Sequence, residues 1–167
     1  VQLDPVRSIV KPPVAGMSIE QIVLGYFAAS ASQSGAFAVA RQYLAAEVKP
    51  TWVTKQVTLY DATSMKVVVA GSTSVQVSVQ VVGELAEDAR LSLLEAAQER
   101  TLNFTLKQEE GQWRITNPPT SAYMSVADFQ RAYQATDLWF LNDDYRRLVP
   151  DIVWLPASSA TRATLLM

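Results

Sequence analysis

A regular alternation of apolar and polar residues stands out between residues 75 and 81. Valines fill the odd positions and polar residues the even ones, in the order VQVSVQV. Because successive side chains of a strand point to opposite faces, four valines share one face: Val75, Val77, Val79 and Val81. The pattern predicts a strand with one buried and one solvated face, which is typical of antiparallel sheets.

Weaker alternations predict further strands on both sides of this one. Before it, Val57 and Leu59 alternate with more polar residues, and residues 66–69 form the β-branched run KVVV. After it, alternating positions from Leu102 to Leu106 and from Trp113 to Ile115 predict two strands. Residues 109–111, Glu-Glu-Gly, predict a tight hairpin turn in which the glycine supplies a positive φ.

The amino-terminal third has a helical period instead. Ser18 and Gln21 match a capping box, and the apolar residues that follow at helical spacing are Ile22, Val23, Tyr26 and Phe27. After a polar stretch at residues 30–35, a second helix is expected to place Phe37, Ala40 and Leu44 on one face. Pro50 ends this region, since the residue before a proline disfavours the helix.

Two later segments are less regular. Residues 84–97 contain leucines and alanines that could form a short helix, whereas Asp88-Ala89-Arg90 resembles the tip of a hairpin. Ser125 and Asp128 predict another helix cap, followed by a stripe of Val126, Phe129 and Tyr133. Both alternatives for residues 84–97 remain open from the sequence.

Residues 138–156, LWFLNDDYRRLVPDIVWLP, indicate two apolar strands around a polar turn. The start of a helix is expected at residues 160–167. A hairpin with so much apolar surface is costly to leave in water, at roughly 25 cal/mol per Å². We therefore expect residues 138–156 to pack against the first domain or against another copy of the chain.

Composition narrows the possible functions. The 167 residues are 49% hydrophobic and 18% charged, with a net charge of −2 and no basic stripe that would capture nucleic acid. The chain has no Cys and no His, which excludes thiol catalysis, Ser-His triads and zinc sites built on these ligands. No apolar run approaches the roughly 20 residues of a membrane span. Any signal or anchor before Val1 is expected to have been removed or never to have existed.

Catalysis would have to use the few acids and tyrosines of the predicted sheet and helices. Asp61, Tyr26 and Tyr60 are the candidates. The alternative is structural: Tyr26 lies in the helix core and Asp61 starts a turn over residues 61–64. We favour the structural interpretation, and a buried carboxyl with a raised pKa beside a cavity would reverse it.

Two other patterns are better explained by local structure. Asn142, Asp143 and Asp144 could attract calcium, but Asn and Asp are also turn formers, and the spaced ligands of a calcium loop are missing. Asn103 begins a glycosylation pattern that falls within a predicted strand and is treated as incidental. We predict no metal-binding, cofactor-binding or catalytic residues.

Protein contact is the remaining class of function. Tryptophans could form a binding surface, but each lies beside alternating apolar residues, which favours core or interdomain packing; they are Trp52, Trp113, Trp139 and Trp154. An exposed tryptophan would reopen the question. The candidate contact surfaces are the tip at residues 84–99 and the face of the sheet that the helices leave open.

Four phrases together resemble the amino-terminal part of the LpqB family of actinobacterial lipoproteins. In chain order they are VRSIVKPPVAGMSIEQIVLGYFAAS, ARQYLAAE, GQWRITNPP and DLWFLNDDYRRLVPDIVWLP. The resemblance covers most of the chain, and residues 61–98 are the least diagnostic. It implies an α+β fold similar to nuclear transport factor 2, with helices packed into a curved antiparallel sheet.

The resemblance also implies a domain organisation. Residues 1–120 would form the LpqB-like domain, 121–136 a connecting helix, and 137–167 the truncated start of a GerMN domain. The rest of the GerMN domain, a β-propeller and a lipid-bearing cysteine would lie outside this chain. Tyr145 departs from the family pattern, because turns at this place usually carry glycine and a bulky residue resists positive φ.

The function implied by the resemblance is regulatory. The chain would be a non-enzymatic, extracytoplasmic module of a lipoprotein anchored to the outer face of the cytoplasmic membrane. Its partner would be the extracellular domain of the sensor histidine kinase of the MtrA–MtrB two-component system, in cell-wall and division homeostasis. Binding of a small hydrophobic or cell-wall-derived ligand is the alternative.

Overall fold

The computed structural model describes residues 10–32, 37–141 and 147–157. These residues form a mixed α and β structure with a mostly antiparallel sheet. In chain order the elements are α1 (Ile19–Ser30), α2 (Ala38–Gln42), β1 (Val57–Val69), β2 (Ser74–Leu85), β3 (Leu91–Glu109), β4 (Gln112–Ile115), β5 (Ala122–Ser125), α3 (Val126–Ala132), β6 (Tyr133–Leu141) and β7 (Leu148–Pro156). One sheet has the strand order β4-β3-β2-β1-β5, and β6 pairs with β7 in a separate sheet.

The described chain divides into two compact units. The first unit comprises the described parts of Val1–Trp52, Val67–Gln76 and Asn103–Pro118. The second unit comprises those of Val53–Lys66, Val77–Leu102 and Pro119–Met167. Strands β1, β2 and β3 therefore each contribute residues to both units.

Helix α1 begins as its sequence predicts. The Ser18 hydroxyl accepts a hydrogen bond from the Gln21 backbone at 3.2 Å, and the Gln21 side chain accepts one from the Ser18 backbone at 2.9 Å. This reciprocal capping box satisfies two amide groups that the first helical turn leaves without intrahelical partners. The predicted apolar face is confirmed, because Ile22, Val23, Tyr26 and Phe27 are all buried.

The first unit is packed around an aromatic cluster. The Tyr26 ring lies edge-on to Trp52 and to Phe104, with ring centroids 6.0 Å apart in both pairs. Phe27 also contacts Phe104 edge-on, at 5.7 Å. Aromatic pairs favour this geometry, so α1 and β3 are joined through ring contacts that the helical and strand periods had each placed on an inward face.

The second predicted helix is shorter than expected. Helix α2 has only five residues, and Phe37 precedes it as the N-cap with a positive φ of 61°. Ala40 and Leu44 are buried as predicted, but Leu44 lies beyond the helix in a bridge to Ile115. The bridge explains why α2 ends early, since the backbone after it forms hydrogen bonds to β4 in place of helical ones. Ala45 donates to the Ile115 carbonyl at 2.8 Å.

Strand β2 confirms the alternation that predicted it. Its four valines are at most 1% exposed, whereas the intervening residues are half-buried. The predicted turn before β4 is also confirmed: Glu109 pairs with Gln112, and both Glu110 and Gly111 have positive φ, at 52° and 77°. Two consecutive residues with positive φ are characteristic of a two-residue hairpin loop.

Residues 84–97 form a hairpin and no helix. Ala86 donates to the Arg90 carbonyl at 3.0 Å, Ala89 takes a positive φ of 66°, and β3 begins at Leu91. The leucines and alanines that allowed a helix therefore lie in a strand. Pairing with β2 decides between the two structures, which local propensity leaves nearly balanced.

The predicted turn over residues 61–64 is wrong, because β1 continues through it. Thr63 donates to the Asp61 carboxylate from its amide at 2.9 Å and from its hydroxyl at 2.7 Å. The Gln80 amide donates to the Ser64 hydroxyl at 2.8 Å. Side-chain oxygens thus supply hydrogen-bond acceptors along the strand. Residues 61–64, of types that often form turns, therefore remain in β1.

The second unit contains β5, α3 and the β6–β7 hairpin. Strand β5 pairs in parallel with the first residues of β1, from Val57 opposite Ala122 to Tyr60 opposite Ser125. Ser125 also caps α3, as predicted, by accepting a hydrogen bond from the Asp128 amide at 3.1 Å. The predicted hairpin is present, with β6 and β7 antiparallel from Tyr133 opposite Pro156 onwards. The helix expected at residues 160–167 lies outside the described residues.

Candidate functional site

Two surface features are candidates for binding, one in each unit. The first is a groove of about 640 Å³ in the first unit, between residues 10–17 and α1. Its lining is predominantly aliphatic and consists of Val10, Lys11, Val14, Ala15, Gly16, Met17, Gln21, Leu24, Gly25, Ala28 and Tyr43. Lys11 is the single charged residue among these described lining residues. The volume lies within the roughly 300–1,000 Å³ of small-ligand sites.

Tyr43 forms the floor of the groove and fixes its outer wall. The side chain is 2% exposed, and its hydroxyl donates to the Lys11 carbonyl at 2.8 Å, which holds the segment 10–17 in place. Burial raises the pKa of the Tyr43 hydroxyl above its ordinary value of 10.0, at which a tyrosine is already protonated at neutral pH. The groove is therefore held by a specific side-chain bond, in addition to apolar contact.

Gly25 allows Tyr43 to lie this close to α1. A Cβ at Gly25 would lie 2.5 Å from the nearest atom of the Tyr43 ring, far inside van der Waals contact. Glycine in a helix interior costs about 1 kcal/mol relative to alanine. The sequence accepts that cost at a position where no larger residue fits beside the tyrosine.

The second feature is an apolar face on the β6–β7 hairpin in the second unit. The register places Trp139 opposite Pro150 and Ile152 opposite Asp137, so that these residues share a face with Leu148. Trp139 and Ile152 are each 58% exposed, and Leu148 is 61% exposed. We call Trp139, Leu148, Pro150 and Ile152 the hairpin face.

The other parts of the hairpin are attached to the second unit. The Trp154 amide donates to the Ala89 carbonyl at 2.8 Å, and Asp151 forms an ion pair with Arg90. Near the start of β6, Tyr133 stacks on Phe129 with ring centroids 4.7 Å apart. Packing of residues 138–156 against the preceding chain is thus found at the turn between β2 and β3, and the hairpin face remains in solvent.

The tryptophans differ in environment. Trp52 is buried, and Trp113 and Trp154 are half-buried, in agreement with the packing interpretation. Trp139 is the exception: at 58% exposed it is not part of the core, and its packing against a domain outside this chain stays a prediction. Alternation showed which face of β6 is apolar, but no sequence signal indicated that this face is left uncovered.

The three catalytic candidates differ in their environments. Tyr26 is fully buried in the aromatic cluster of the first unit. Burial raises the pKa of Tyr60 to about 12, with a further contribution from the charge of Asp128. Asp61 is exposed, and the hydrogen bonds from Thr63 lower its pKa, which is opposite to the raised pKa of a buried general acid.

The remaining sequence candidates can be placed as far as the structure describes them. Asn142, Asp143, Asp144 and Tyr145 lie outside the described residues. Among the residues described, no three acidic side chains form a metal-binding group. Asn103 lies in β3, as expected, and its side chain accepts a hydrogen bond from Gln76 at 3.1 Å.

Most residues of the tip at 84–99 are exposed, although Leu85 is buried. Residues 95–99 are all exposed in β3, and Leu93 is 70% exposed. At its base, the partly exposed Arg100 contacts Glu84 at 3.3 Å and the hydroxyl of the buried Tyr123 at 3.5 Å. The tip is therefore accessible, but its exposed side chains are mostly small or charged, unlike the hairpin face.

Helices in the described ranges are all short; α1 is the longest at 12 residues, and none could cross a bilayer.

Residues 12–130 match the family model for the lipoprotein LpqB N-terminal domain. The chain is 38% identical over 154 residues to lipoprotein LpqB of Cutibacterium acnes, covering 89% of this chain and 25% of the relative. It is 30% identical over 149 residues to lipoprotein LpqB of Bifidobacterium longum, covering 81% and 26%. The chain thus spans about a quarter of the length of these relatives. No solved structure matches it.

Proposed function

The chain belongs to the lipoprotein LpqB family, and on this premise we propose that it is a non-enzymatic, extracytoplasmic module that acts through protein contact. Its relatives are named as lipoproteins, which supports a membrane-anchored, extracytoplasmic location on the outer face of the cytoplasmic membrane. The proposed partner is the extracellular domain of the sensor kinase of the MtrA–MtrB system, through which the module would influence cell-wall and division homeostasis.

The hairpin face is the observation that carries this proposal. Trp139, Leu148 and Ile152 are three of the nine exposed large hydrophobic residues found among the described residues, and they lie together on one face. Contiguous exposed apolar surface marks interaction sites, and tryptophan is enriched among the residues that dominate interface energies. An isolated two-stranded sheet gains little stability from such side chains on its own.

The attachment of the hairpin supports the same role. Its other contacts fix it to the turn between β2 and β3 through Trp154 and Asp151, so the hairpin face is presented on a held element. Preorganised surfaces lose less conformational entropy on binding than mobile ones. The face is therefore suited to recognition of an apolar protein surface.

The proposal includes a fold and domain assignment. The helix-helix-strand order and the helix α1 packed beside β3 support a fold like that of nuclear transport factor 2 over residues 1–120. Residues 121–136 would connect it to the start of a GerMN domain at 137–167. The remaining GerMN and β-propeller domains would belong to the same full-length chain, and the proposed kinase contact requires that they leave the hairpin face accessible.

Direct binding tests the proposed function. The purified chain is immobilised, and the extracellular domain of the sensor kinase is titrated over it in biolayer interferometry. We expect saturable binding that the extracellular domain of an unrelated sensor kinase does not reproduce. Absence of binding, or equal binding of both kinases, contradicts the proposal for this part of the chain.

Ligand binding is a second candidate function, and the groove in the first unit favours it. It has a mainly aliphatic lining and a floor fixed by the Tyr43–Lys11 bond. A small hydrophobic or cell-wall-derived molecule would occupy it. The two candidate functions use different units and do not exclude each other.

A further inference from the structure

We propose that the groove between residues 10–17 and α1 binds one acyl chain of an anionic phospholipid, with the lipid phosphate at Lys11. The ligand would come from the membrane to which a lipoprotein is anchored. This inference deepens the ligand-binding alternative and rests on the proposed membrane anchoring. It does not rest on the kinase contact, since the groove lies in the first unit and the hairpin face in the second.

The lining of the groove selects for an aliphatic chain. Its side walls carry Val10, Val14, Met17 and Leu24, whereas Tyr43 is the sole aromatic lining residue described. Val14 is 60% exposed and Leu24 39% exposed, so both keep apolar surface in water until something covers it. An acyl chain offers flexible aliphatic contact along such a groove and needs no polar partners inside it.

The charge of the groove selects for an anionic headgroup. Lys11 is exposed at the groove, and the described lining residues contain no acid that would neutralise it or repel a phosphate. The Tyr43 bond to the Lys11 carbonyl fixes the backbone from which the lysine side chain extends. An ammonium group beside an apolar groove complements an acyl chain attached to a phosphate.

The membrane is favoured as the source of the lipid because of local concentration. A protein tethered to a bilayer meets lipid at an effective concentration set by its tether, so that even a weak groove becomes occupied. A basic residue near an anionic surface adds attraction that falls off within a Debye length. Both effects favour lipid of the anchoring membrane as the occupant of the groove.

Vesicle flotation of the chain tests the inference. The probes are vesicles of equal parts phosphatidylglycerol and phosphatidylcholine, with vesicles of phosphatidylcholine alone as reference. We expect binding to the anionic vesicles only. Leu24→Asp should weaken it about tenfold or more, because burying a leucine side chain is worth at least that factor in a binding constant.

Matched variants distinguish binding in the groove from nonspecific binding to vesicles. Leu93→Asp makes the same change at a residue that is 70% exposed and lies outside the groove, and it should leave flotation unchanged. Lys11→Glu should abolish the preference for anionic vesicles. Equal loss in Leu24→Asp and Leu93→Asp, or no loss in Leu24→Asp, overturns the inference.

Other occupants give different results. If short-chain phosphatidylglycerol below its micellar concentration binds in calorimetry while vesicles do not, the groove takes a free amphiphile and the membrane source is wrong. If Leu24→Asp alters the oligomeric state in light scattering but not flotation, the groove contacts a second copy and the inference fails. Kinase binding of Leu24→Asp should equal that of the unchanged chain, which distinguishes failure here from failure of the kinase proposal.

Discussion

Strand β2 and the β6–β7 hairpin both gather apolar side chains on one face, but only β2 buries them. Val75, Val77, Val79 and Val81 are at most 1% exposed, whereas the exposed fractions of Trp139, Leu148 and Ile152 are 58 to 61%. Alternation thus assigns side chains to a face, and the rest of the fold decides whether that face is covered. In the proposed function, β2 contributes stability and the hairpin face contributes recognition.

The largest expected effect is the loss of stability when a charge is placed on the valine face of β2, compared with the same charge on the hairpin face. Val79→Asp would bury a carboxylate without a partner and should cost more than about 4 kcal/mol, enough to prevent folding of an ordinary domain. Ile152→Asp places the same carboxylate in solvent and should cost about 1 kcal/mol or less. Urea denaturation followed by circular dichroism measures both variants. Similar losses in the two would show that the hairpin face is covered and structural.

A second prediction concerns the buried start of the hairpin, where Tyr133 stacks on Phe129. Burial raises the pKa of Tyr133 to about 12, from the ordinary value of 10.0. The neutral phenol is favoured in the folded state, so its contribution is complete below pH 10 and is lost as pH rises from 10 to 12. The limit is about 2.7 kcal/mol, at 1.36 kcal/mol per pH unit.

Tyr133→Phe isolates this contribution. Among the described residues, the Tyr133 hydroxyl has no hydrogen-bond partner, so its removal should not lower the free energy of unfolding at pH 7. Between pH 10 and 12 the variant should lose less stability than the unchanged chain, and Tyr60, whose pKa is also about 12, should account for part of the remaining loss. Parallel pH curves for the two proteins would contradict burial of this phenol.

The smallest expected effect is at the ion pair that ties the hairpin to the turn between β2 and β3. Arg90 and Asp151 are partly exposed, with side-chain exposures of 61% and 32%, so Asp151→Ala should cost less than about 1 kcal/mol. The loss should shrink at high salt. Asp137→Ala, on the same hairpin, is the matched control and should be neutral. A loss in Asp151→Ala that is independent of salt would indicate a role in packing instead of charge.

Patterns confined to a few residues predicted much of the local structure. The Ser18–Gln21 capping box, the valine face of β2, the Glu110-Gly111 turn and the Ser125 cap are all found. Each depends on neighbours in sequence, through the period of a helix or strand or through the backbone angles of a turn. These local patterns predict the structure correctly because the tertiary contacts at the same positions favour the same conformation.

Features that depend on distant residues were not predictable. Asp61 stays in a strand because Gln80 bonds Ser64, and helix α2 ends early because Ala45 bonds Ile115. The groove requires Gly25 to meet Tyr43, a contact that no periodicity indicates. Exposure of Trp139 likewise depends on which elements do not reach β6. The candidate binding surfaces are therefore findings of the structure, whereas the family resemblance came from the sequence.

The central claim is that the hairpin face binds a protein partner without contributing stability. It is tested most directly by the affinity of the sensor kinase extracellular domain for Trp139→Ala and for Leu93→Ala, an equally accessible leucine at the tip. We predict that Trp139→Ala weakens binding by about 30-fold, as truncation of a dominant interface tryptophan costs about 2 kcal/mol, with an unchanged free energy of unfolding. Leu93→Ala should bind like the unchanged chain. Unaltered affinity in Trp139→Ala, or loss only in Leu93→Ala, would contradict the account.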